Sequence, residues 1–191
     1  MSARRALLAI LCVAAVAVGS ARAIRGDDAA SPPAQSPLAP ALVQWLRLDP
    51  ASVRALGAYA TMSGARVEVS YGRRIGGTEC LVAVGGGSTG SACGGLYARG
   101  PVGILERSSG GPQLAQRSEL EVIGVARPNV ARVALVDTAG RERWPALNEN
   151  GTFMVEFAQA ELRAGVGPAE LVAYDRAGVE LMRLDLSEPD S

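Results

Sequence analysis

The chain contains no histidine and no lysine among its 191 residues, so arginine supplies all 19 basic side chains. Serine and cysteine nucleophiles are usually activated by a histidine or a lysine. Zinc and iron sites depend on histidine or on clustered cysteine, and pyridoxal chemistry requires a lysine. We therefore expect no catalytic residue, no metal ligand and no cofactor-binding residue, and we predict that the protein is not an enzyme.

Aromatic residues are also scarce, at 4% of the chain against 48% for all hydrophobic residues. The core is therefore expected to consist mainly of valine, leucine, alanine and isoleucine. This scarcity disfavours a carbohydrate-binding module, which requires a flat row of exposed rings, but such a module is kept as an alternative. The rings that could form the row are Trp45, Tyr59, Tyr71, Tyr97, Trp144 and Tyr174.

Charge of one sign is not concentrated anywhere in the chain, whose formal net charge is zero. Without a basic stripe to follow a phosphate backbone, we expect no nucleic-acid partner. The 19 acidic residues leave open a hydrolase that works with two carboxylates. No pair of them is arranged convincingly in the sequence, so this remains a second alternative.

The N-terminus has the pattern of a secretory signal peptide at residues 1–23. Arg4 and Arg5 precede an apolar run at residues 6–18, which is shorter than the roughly 20 residues that span a bilayer comfortably. The small residues Ala21 and Ala23 then flank Arg22, as signal peptidase requires. We predict a secreted or cell-surface protein, with an uncleaved N-terminal membrane anchor as the alternative.

Three cysteines are present, and Cys12 lies within the predicted signal peptide. The two that remain after cleavage are Cys80 and Cys93. An even number of cysteines in an exported protein favours a disulfide. We predict a bond between Cys80 and Cys93, formed across two paired antiparallel strands.

The glycine-rich stretch GGGSTG at residues 85–90 matches two catalytic patterns, G-x-G-x-x-G and G-x-S-x-G. Both patterns require a helix after the glycines, but SACGGLYARGPVG follows here. Ser88 would also lack a base to activate it. The stretch is therefore interpreted as a hairpin loop between the two cysteines.

Four regions follow the signal peptide. Residues 24–41 are predicted to be a disordered linker rich in proline and alanine. Residues 42–64 are a short helical lead-in, where Asp49 caps a helix that begins with Pro50. Residues 65–186 form a β-sandwich domain, and residues 187–191 form a disordered tail.

Alternating apolar and polar residues predict many short strands in the domain. Asp137 and Asp175 each begin a D-x-A-G turn, and Asn150-Gly151 marks another hairpin. The fold class is therefore mainly β, an antiparallel sandwich or barrel. The predicted strands lie at residues 66–72, 80–84, 91–97, 102–107, 120–126, 130–137, 141–147, 152–158, 170–175 and 179–186.

Residues 120–186 resemble the Ig-like modules of bacterial exported proteins. The wider layout resembles a group of exported β-rich proteins from high-GC bacteria, through ECLVAV followed by cysteine at residues 79–93, VIGVARPNVARVAL at 122–135 and LVAYDRAG at 171–178. This resemblance implies a fold and a location, and no activity. We therefore expect an exported, non-catalytic β-domain that binds another envelope or extracellular protein, or serves as a structural component there.

Overall fold

The computed structural model describes residues 37–110 and 113–187. The predicted signal peptide, most of the predicted linker and nearly all of the predicted tail lie outside these residues. The described elements, in chain order, are α1 (Pro40–Trp45), β1 (Arg54–Ala60), β2 (Arg66–Arg73), β3 (Glu79–Gly85), β4 (Ser88–Cys93), β5 (Val102–Gly110), β6 (Arg117–Ala126), β7 (Arg132–Asp137), β8 (Glu142–Arg143), β9 (Thr152–Ala158), α2 (Gln159–Arg163), β10 (Pro168–Tyr174) and β11 (Glu180–Asp185).

The strands form three antiparallel sheets. The N-terminal sheet has the order β1-β2-β3-β4, so its strands follow one another as they do in the chain. The central sheet has the order β5-β6-β9, and the C-terminal sheet has the order β11-β10-β7-β8. The prediction of a mainly β, antiparallel fold is confirmed.

The central sheet is buried on both faces, because successive side chains of a strand point to opposite sides. In β6, Leu120 and Val122 pack into the core shared with the C-terminal sheet. Ile123 and Val125 pack into a second core, shared with the N-terminal sheet. The central and C-terminal sheets thus face each other as a β-sandwich, and the N-terminal sheet covers the sandwich as a third layer.

A buried ion pair lies between the N-terminal and central sheets. Arg107 of β5 and Glu121 of β6 are cross-strand partners, and their side chains are only 5% and 1% exposed. The Arg107 Nε and Nη2 atoms lie 2.6 and 2.5 Å from Glu121 Oε2. Glu121 Oε1 makes no hydrogen bond with any described residue. Each of these charges is stable in the interior only while the other is present.

Arg107 also holds the glycine-rich loop against the central sheet. Its Nη1 group donates to the carbonyl oxygens of Gly85 and Ser88, at 2.8 and 3.2 Å. Gly86 and Gly87 have φ values of 58° and 76°, as a two-residue type I′ hairpin turn requires. The predicted hairpin is confirmed, and its backbone carbonyls are the acceptors for a buried guanidinium.

A different turn geometry occurs at three other tight turns. In each turn the first residue accepts backbone N–H bonds through its side-chain oxygen, and a glycine three residues later has a positive φ. This combination is a type I turn followed by a glycine bulge. The predicted D-x-A-G turns have this form, as does the turn around Asn150. The four-residue turns begin at Asp137, Asn148 and Asp175.

The helical lead-in predicted at residues 42–64 is wrong in its second half. Asp49 does cap a helical turn, because its Oδ1 accepts the Ala51 N–H at 3.0 Å, but the 3-10 helix covers only Pro50–Ser52. The chain then enters β1, of which only Leu56 is buried. The helix α1 lies earlier, and it overlaps the end of the predicted linker.

The short helix α2 is fastened by an ion-pair network that the sequence did not indicate. Asp137 is fully buried and lies 2.9 Å from Arg141, while Arg143 lies 2.6 Å from Glu161 of α2. Burial favours the neutral form of Asp137. Hydrogen bonds from the Arg141 backbone and guanidinium and from the Ala139 N–H outweigh it, so the pKa of Asp137 lies below its usual value.

Replacing Arg107 by methionine tests the buried ion pair. We expect R107M to lower the free energy of unfolding by about 3–5 kcal/mol, because Glu121 is left buried without a counter-charge. Urea denaturation at neutral pH measures this change. The double variant R107M/E121L removes both charges and should regain a large part of the loss. A double variant that is no more stable than R107M would contradict this account.

Replacing both cysteines by serine tests the disulfide. Cys80 and Cys93 are directly opposite each other in β3 and β4, and their sulfur atoms are bonded. We expect C80S/C93S to lose about 3 kcal/mol of stability on the chain-entropy model for a loop of this size. Thermal unfolding with and without dithiothreitol is the measurement. The reductant should lower the Tm of the natural protein and leave that of the variant unchanged, and equal responses would count against the prediction.

Candidate functional site

An open groove of about 990 Å³ runs between the N-terminal sheet and the loops that follow β6 and β8. Its floor includes Leu56 and Val125, which also belong to the core between the two sheets. Its wall on the N-terminal sheet is lined by arginine, tyrosine and glutamate. We call it the arginine–tyrosine groove and define it by Arg54, Tyr71, Arg73, Glu79, Tyr97 and Arg127.

Strand register places the first four of these side chains together. Arg54 of β1 pairs with Tyr71 of β2, and Arg73 of β2 pairs with Glu79 of β3. Residues 71 and 73 lie on the same face of β2, since side chains alternate. The Arg54 guanidinium carbon lies 4.9 Å from the centre of the Tyr71 ring, which is a cation–π contact.

The Tyr71 hydroxyl joins the neighbouring charges. It donates to Glu79 Oε1 at 2.7 Å and accepts from Arg73 Nε at 3.3 Å. Glu79 therefore has one oxygen already engaged within the groove wall. The phenol is held in one position, while its ring supports Arg54.

Arg127 and Tyr97 form a second cation–π pair on the other side of the groove. The Arg127 guanidinium carbon lies 4.4 Å from the centre of the Tyr97 ring. The Arg127 backbone N–H donates to the Pro101 carbonyl at 2.8 Å, which fixes the loop after β6 beside the segment that contains Tyr97. The groove thus contains two arginines that each lie over a tyrosine ring.

Burial raises the pKa of both groove tyrosines. For Tyr71, the hydrogen bond to Glu79 adds to the effect of desolvation, and Arg73 opposes it. For Tyr97, the charge of Glu79 adds to desolvation, and the charges of Arg127 and Arg54 oppose it. The same carboxylate influences both phenols, so these side chains form one electrostatic unit.

Asparagine side chains attach the far wall of the groove to β1. The side-chain amides of Asn148 and Asn150 both donate to the Leu56 carbonyl, at 2.8 and 3.0 Å. Asn150 is also the first residue of an Asn-Gly-Thr glycosylation sequence, but here its side-chain amide is bound to the Leu56 carbonyl of β1. The loop and the N-terminal sheet are therefore held at a defined separation.

Carboxylates occur in the groove and, separately, on the central sheet. The groove is lined by Glu79 and Glu149. Glu121 and Glu156 are cross-strand neighbours in the central sheet, but Glu121 is bound by Arg107. Desolvation raises the pKa of Glu156, and its hydrogen bond from the Met62 N–H opposes this shift. Glu121 is buried, Glu156 is half-buried beside the β1–β2 turn, and neither carboxylate lines the groove.

The six aromatic residues considered for carbohydrate binding lie in four different parts of the structure. Tyr71 and Tyr97 belong to the groove, while Trp45 lies on α1 and is 73% exposed. Trp144 is 48% exposed and stacks on Tyr174, with ring centres 5.8 Å apart. The phenol of the last ring, Tyr59, donates to Thr152 Oγ1 at 2.7 Å.

The predicted pair Cys80 and Cys93 is confirmed as a disulfide. Among residues 37–110 and 113–187, no three acidic or cysteine side chains are grouped in a way that could hold a metal ion. The same residues contain no helix that is both long and apolar enough to cross a membrane. No family model, curated protein or solved structure matches the chain.

The groove itself was not predicted from the sequence. Tyr71 and Tyr97 were considered only as possible sugar-stacking rings, and no arginine was singled out. Its residues come from segments that are far apart in the chain, so no local spacing relates them. The alternation in RVEVSYG indicated the strand, but it did not indicate which arginines would stack on its tyrosine.

A spectrophotometric titration tests the electrostatics of the groove. The pKa values of Tyr59, Tyr71 and Tyr97 all lie above the usual value, so these phenols should ionise later than a free tyrosine at about pH 10. Because the folded pKa values are raised, their contribution to stability is complete below about pH 10 and is lost as the pH rises through the raised values.

Absorbance at 295 nm between pH 8 and 13 follows this ionisation. Tyr71→Phe and Tyr97→Phe should each remove one late component from the curve of the folded protein. A curve in which every tyrosine ionises at the normal pH would contradict the burial and the Glu79 contacts described above.

Proposed function

We propose that the protein is an exported, non-catalytic β-domain that binds an acidic segment of another cell-envelope or extracellular protein in the arginine–tyrosine groove. The observation that carries the proposal is the stacking of Arg54 on Tyr71 and of Arg127 on Tyr97. Neither arginine forms an ion pair with a carboxylate of the described residues. Their N–H groups are therefore available to a ligand.

The composition of the groove supports binding of a protein. Arginine and tyrosine are enriched at the residues that dominate protein–protein affinity, because each combines a large contact area with directional hydrogen bonds. A stacked guanidinium is also held in position, so less conformational freedom is lost when it binds. A carboxylate can accept two parallel hydrogen bonds from such a group.

The charges of the groove favour an acidic ligand. Four arginines line it, at positions 54, 73, 127 and 176, against the two carboxylates of Glu79 and Glu149. One Glu79 oxygen already accepts the Tyr71 hydroxyl. The remaining positive charge would attract a partner segment rich in aspartate or glutamate and would repel a basic one.

The location and the finer fold assignment are part of the same proposal. The disulfide indicates an oxidising, extracytoplasmic environment, and the predicted signal peptide supplies the route. The two facing antiparallel sheets from β5 to β11 support the Ig-like resemblance. Contact, and not catalysis, is supported by the absence of histidine and lysine from the chain.

The exposed ring of Trp144 favours carbohydrate binding as a second candidate function. Arg132 lies 5.4 and 5.1 Å from the centres of the Trp144 and Tyr174 rings, so the cluster offers a stacking surface beside a cation. Acidic sugars combine an apolar ring face with a carboxylate and would suit such a surface. The cluster contains one well-exposed ring, and the groove is therefore preferred.

The natural exported protein, the double variant R54Q/R127Q and the control R163Q test the main proposal. Arg163 is exposed on α2 and does not line the groove. Binding to an oligo-glutamate peptide and to any protein captured from an envelope extract is measured by calorimetry at two salt concentrations. We expect R54Q/R127Q to bind the acidic peptide about tenfold more weakly, because it loses two exposed ion pairs with the ligand. R163Q should bind as the natural protein does.

Equal binding by R54Q/R127Q and the natural protein would overturn the assignment of the groove. Trp144→Ala distinguishes the second candidate, because it should abolish binding to acidic oligosaccharides and leave binding to the acidic peptide unchanged.

A further inference from the structure

The most exposed large hydrophobic side chains of the described residues lie at the end of the molecule formed by α1 and the β2–β3 turn. Ile75, in the turn, is 79% exposed, and Trp45, the last residue of α1, is 73% exposed. Single exposed hydrophobic side chains are common on protein surfaces, but two large ones in neighbouring elements form an apolar patch that can mark an interaction site.

The backbone segments that carry Trp45 and Ile75 are held together by hydrogen bonds and by packing on β3. The Arg47 carbonyl accepts the Ile75 N–H at 2.9 Å, and Arg74 Nε donates to the Leu46 carbonyl at 3.1 Å. Val43 and Leu46 of this segment are buried against Cys80 and Val82 of β3. The N-terminal sheet therefore holds α1 and the β2–β3 turn in place.

An apolar depression of about 690 Å³ lies between the two elements. Its apolar lining consists of Pro40, Val43, Leu48, Pro50 and Ile75. Trp45 lies on the same helix as Pro40 and Val43, outside the lining of the depression. We call Trp45 and the five apolar lining residues together the α1 patch.

Two arginines lie beside the patch. Arg47 and Arg74 are both exposed, and Arg47 lines the depression. The nearest carboxylate in sequence, Asp49, accepts the Ala51 N–H as a helix cap. A tryptophan and an aliphatic side chain flanked by arginines are typical of surfaces that lie in the interface of a bilayer with anionic lipids.

The uncleaved N-terminal anchor, which is the alternative to a cleaved signal peptide, would also keep this end of the protein near a membrane. The apolar run at residues 6–18 is separated from α1 by residues 19–39, which can span at most about 75 Å when fully extended. The α1 patch is therefore within reach of any bilayer that the apolar run enters. Among the described elements α1 comes first in the chain, so it is the element nearest to this run in sequence.

We propose that the α1 patch docks on the surface of an anionic bilayer. Trp45 and Ile75 enter the interface between head groups and acyl chains, while Arg47 and Arg74 meet lipid phosphates. This contact is independent of the groove, and neither proposal requires the other.

Tryptophan fluorescence tests the docking, because the chain has only two tryptophans. In W144F the single remaining tryptophan is Trp45, and in W45F it is Trp144, which serves as the matched control. The full chain is purified as the host exports it and mixed with phosphatidylcholine vesicles, with and without phosphatidylglycerol. Brominated acyl chains in the vesicles quench any tryptophan that reaches them.

We expect the emission of Trp45 to shift to the blue and to be quenched, more strongly with phosphatidylglycerol, while Trp144 stays unchanged. In the W144F background, R47Q/R74Q should weaken vesicle binding about fivefold per arginine, and I75S should weaken it about tenfold. Met62→Ser, which removes another exposed hydrophobic side chain at the β1–β2 turn, should have no effect.

The quenching of Trp45 reports contact even if the N-terminal run anchors every variant. Unquenched Trp45 emission with both kinds of vesicle would overturn the proposal. Quenching that neither I75S nor R47Q/R74Q reduces would overturn it as well, because contact would then not depend on the patch.

Discussion

The buried pair of Arg107 and Glu121 joins two of the three layers. Arg107 belongs to the central sheet, but two of its acceptors, the Gly85 and Ser88 carbonyls, belong to the N-terminal sheet. A shift of the two sheets would take the Arg107 guanidinium away from these two carbonyl oxygens and leave more of its buried donors without acceptors. Valine and leucine side chains supply most of the contact between these sheets, and the ion pair defines how they are aligned.

This alignment positions the candidate site. The arginine–tyrosine groove has one wall on the N-terminal sheet and the other on loops of the sandwich, so its width depends on how the layers are stacked. Asn148 and Asn150 provide a second attachment, through the Leu56 carbonyl. With attachments at the ion pair and at β1, the groove is a preformed surface. Such preorganisation lowers the entropic cost of binding.

Sequence reasoning predicted the fold where one physical signal was dominant. Alternation identified β2, β3 and β9 almost to the residue, and turn chemistry identified the hairpins at Asp137 and Asp175. It failed at β1 for two reasons. Asp49 and Pro50 do start a helical turn, but that turn ends after three residues. In β1 itself only one residue is buried, so apolar and polar residues do not alternate. The five-residue helix α2 is too short to show any period.

The ion pair and the groove could not be predicted for a different reason. A charged residue in a strand normally marks the solvent face, so Arg107 and Glu121 carried no sign of burial. The groove residues can be recognised as one site only after folding has brought strands and loops from distant parts of the chain together. The missing histidine and lysine, by contrast, needed no structure to be informative.

The N-terminal sheet is contiguous in the chain, and this has a consequence for biogenesis. A polypeptide that emerges from its N-terminus presents every residue of β1 to β4, the glycine turn and both cysteines before Glu121 has emerged. Until the central sheet has formed, the apolar side chains of Val67, Val69 and Leu81 are exposed to water. A half-emerged molecule of this kind is the state in which aggregation competes with folding, and in which a holdase chaperone has a surface to protect.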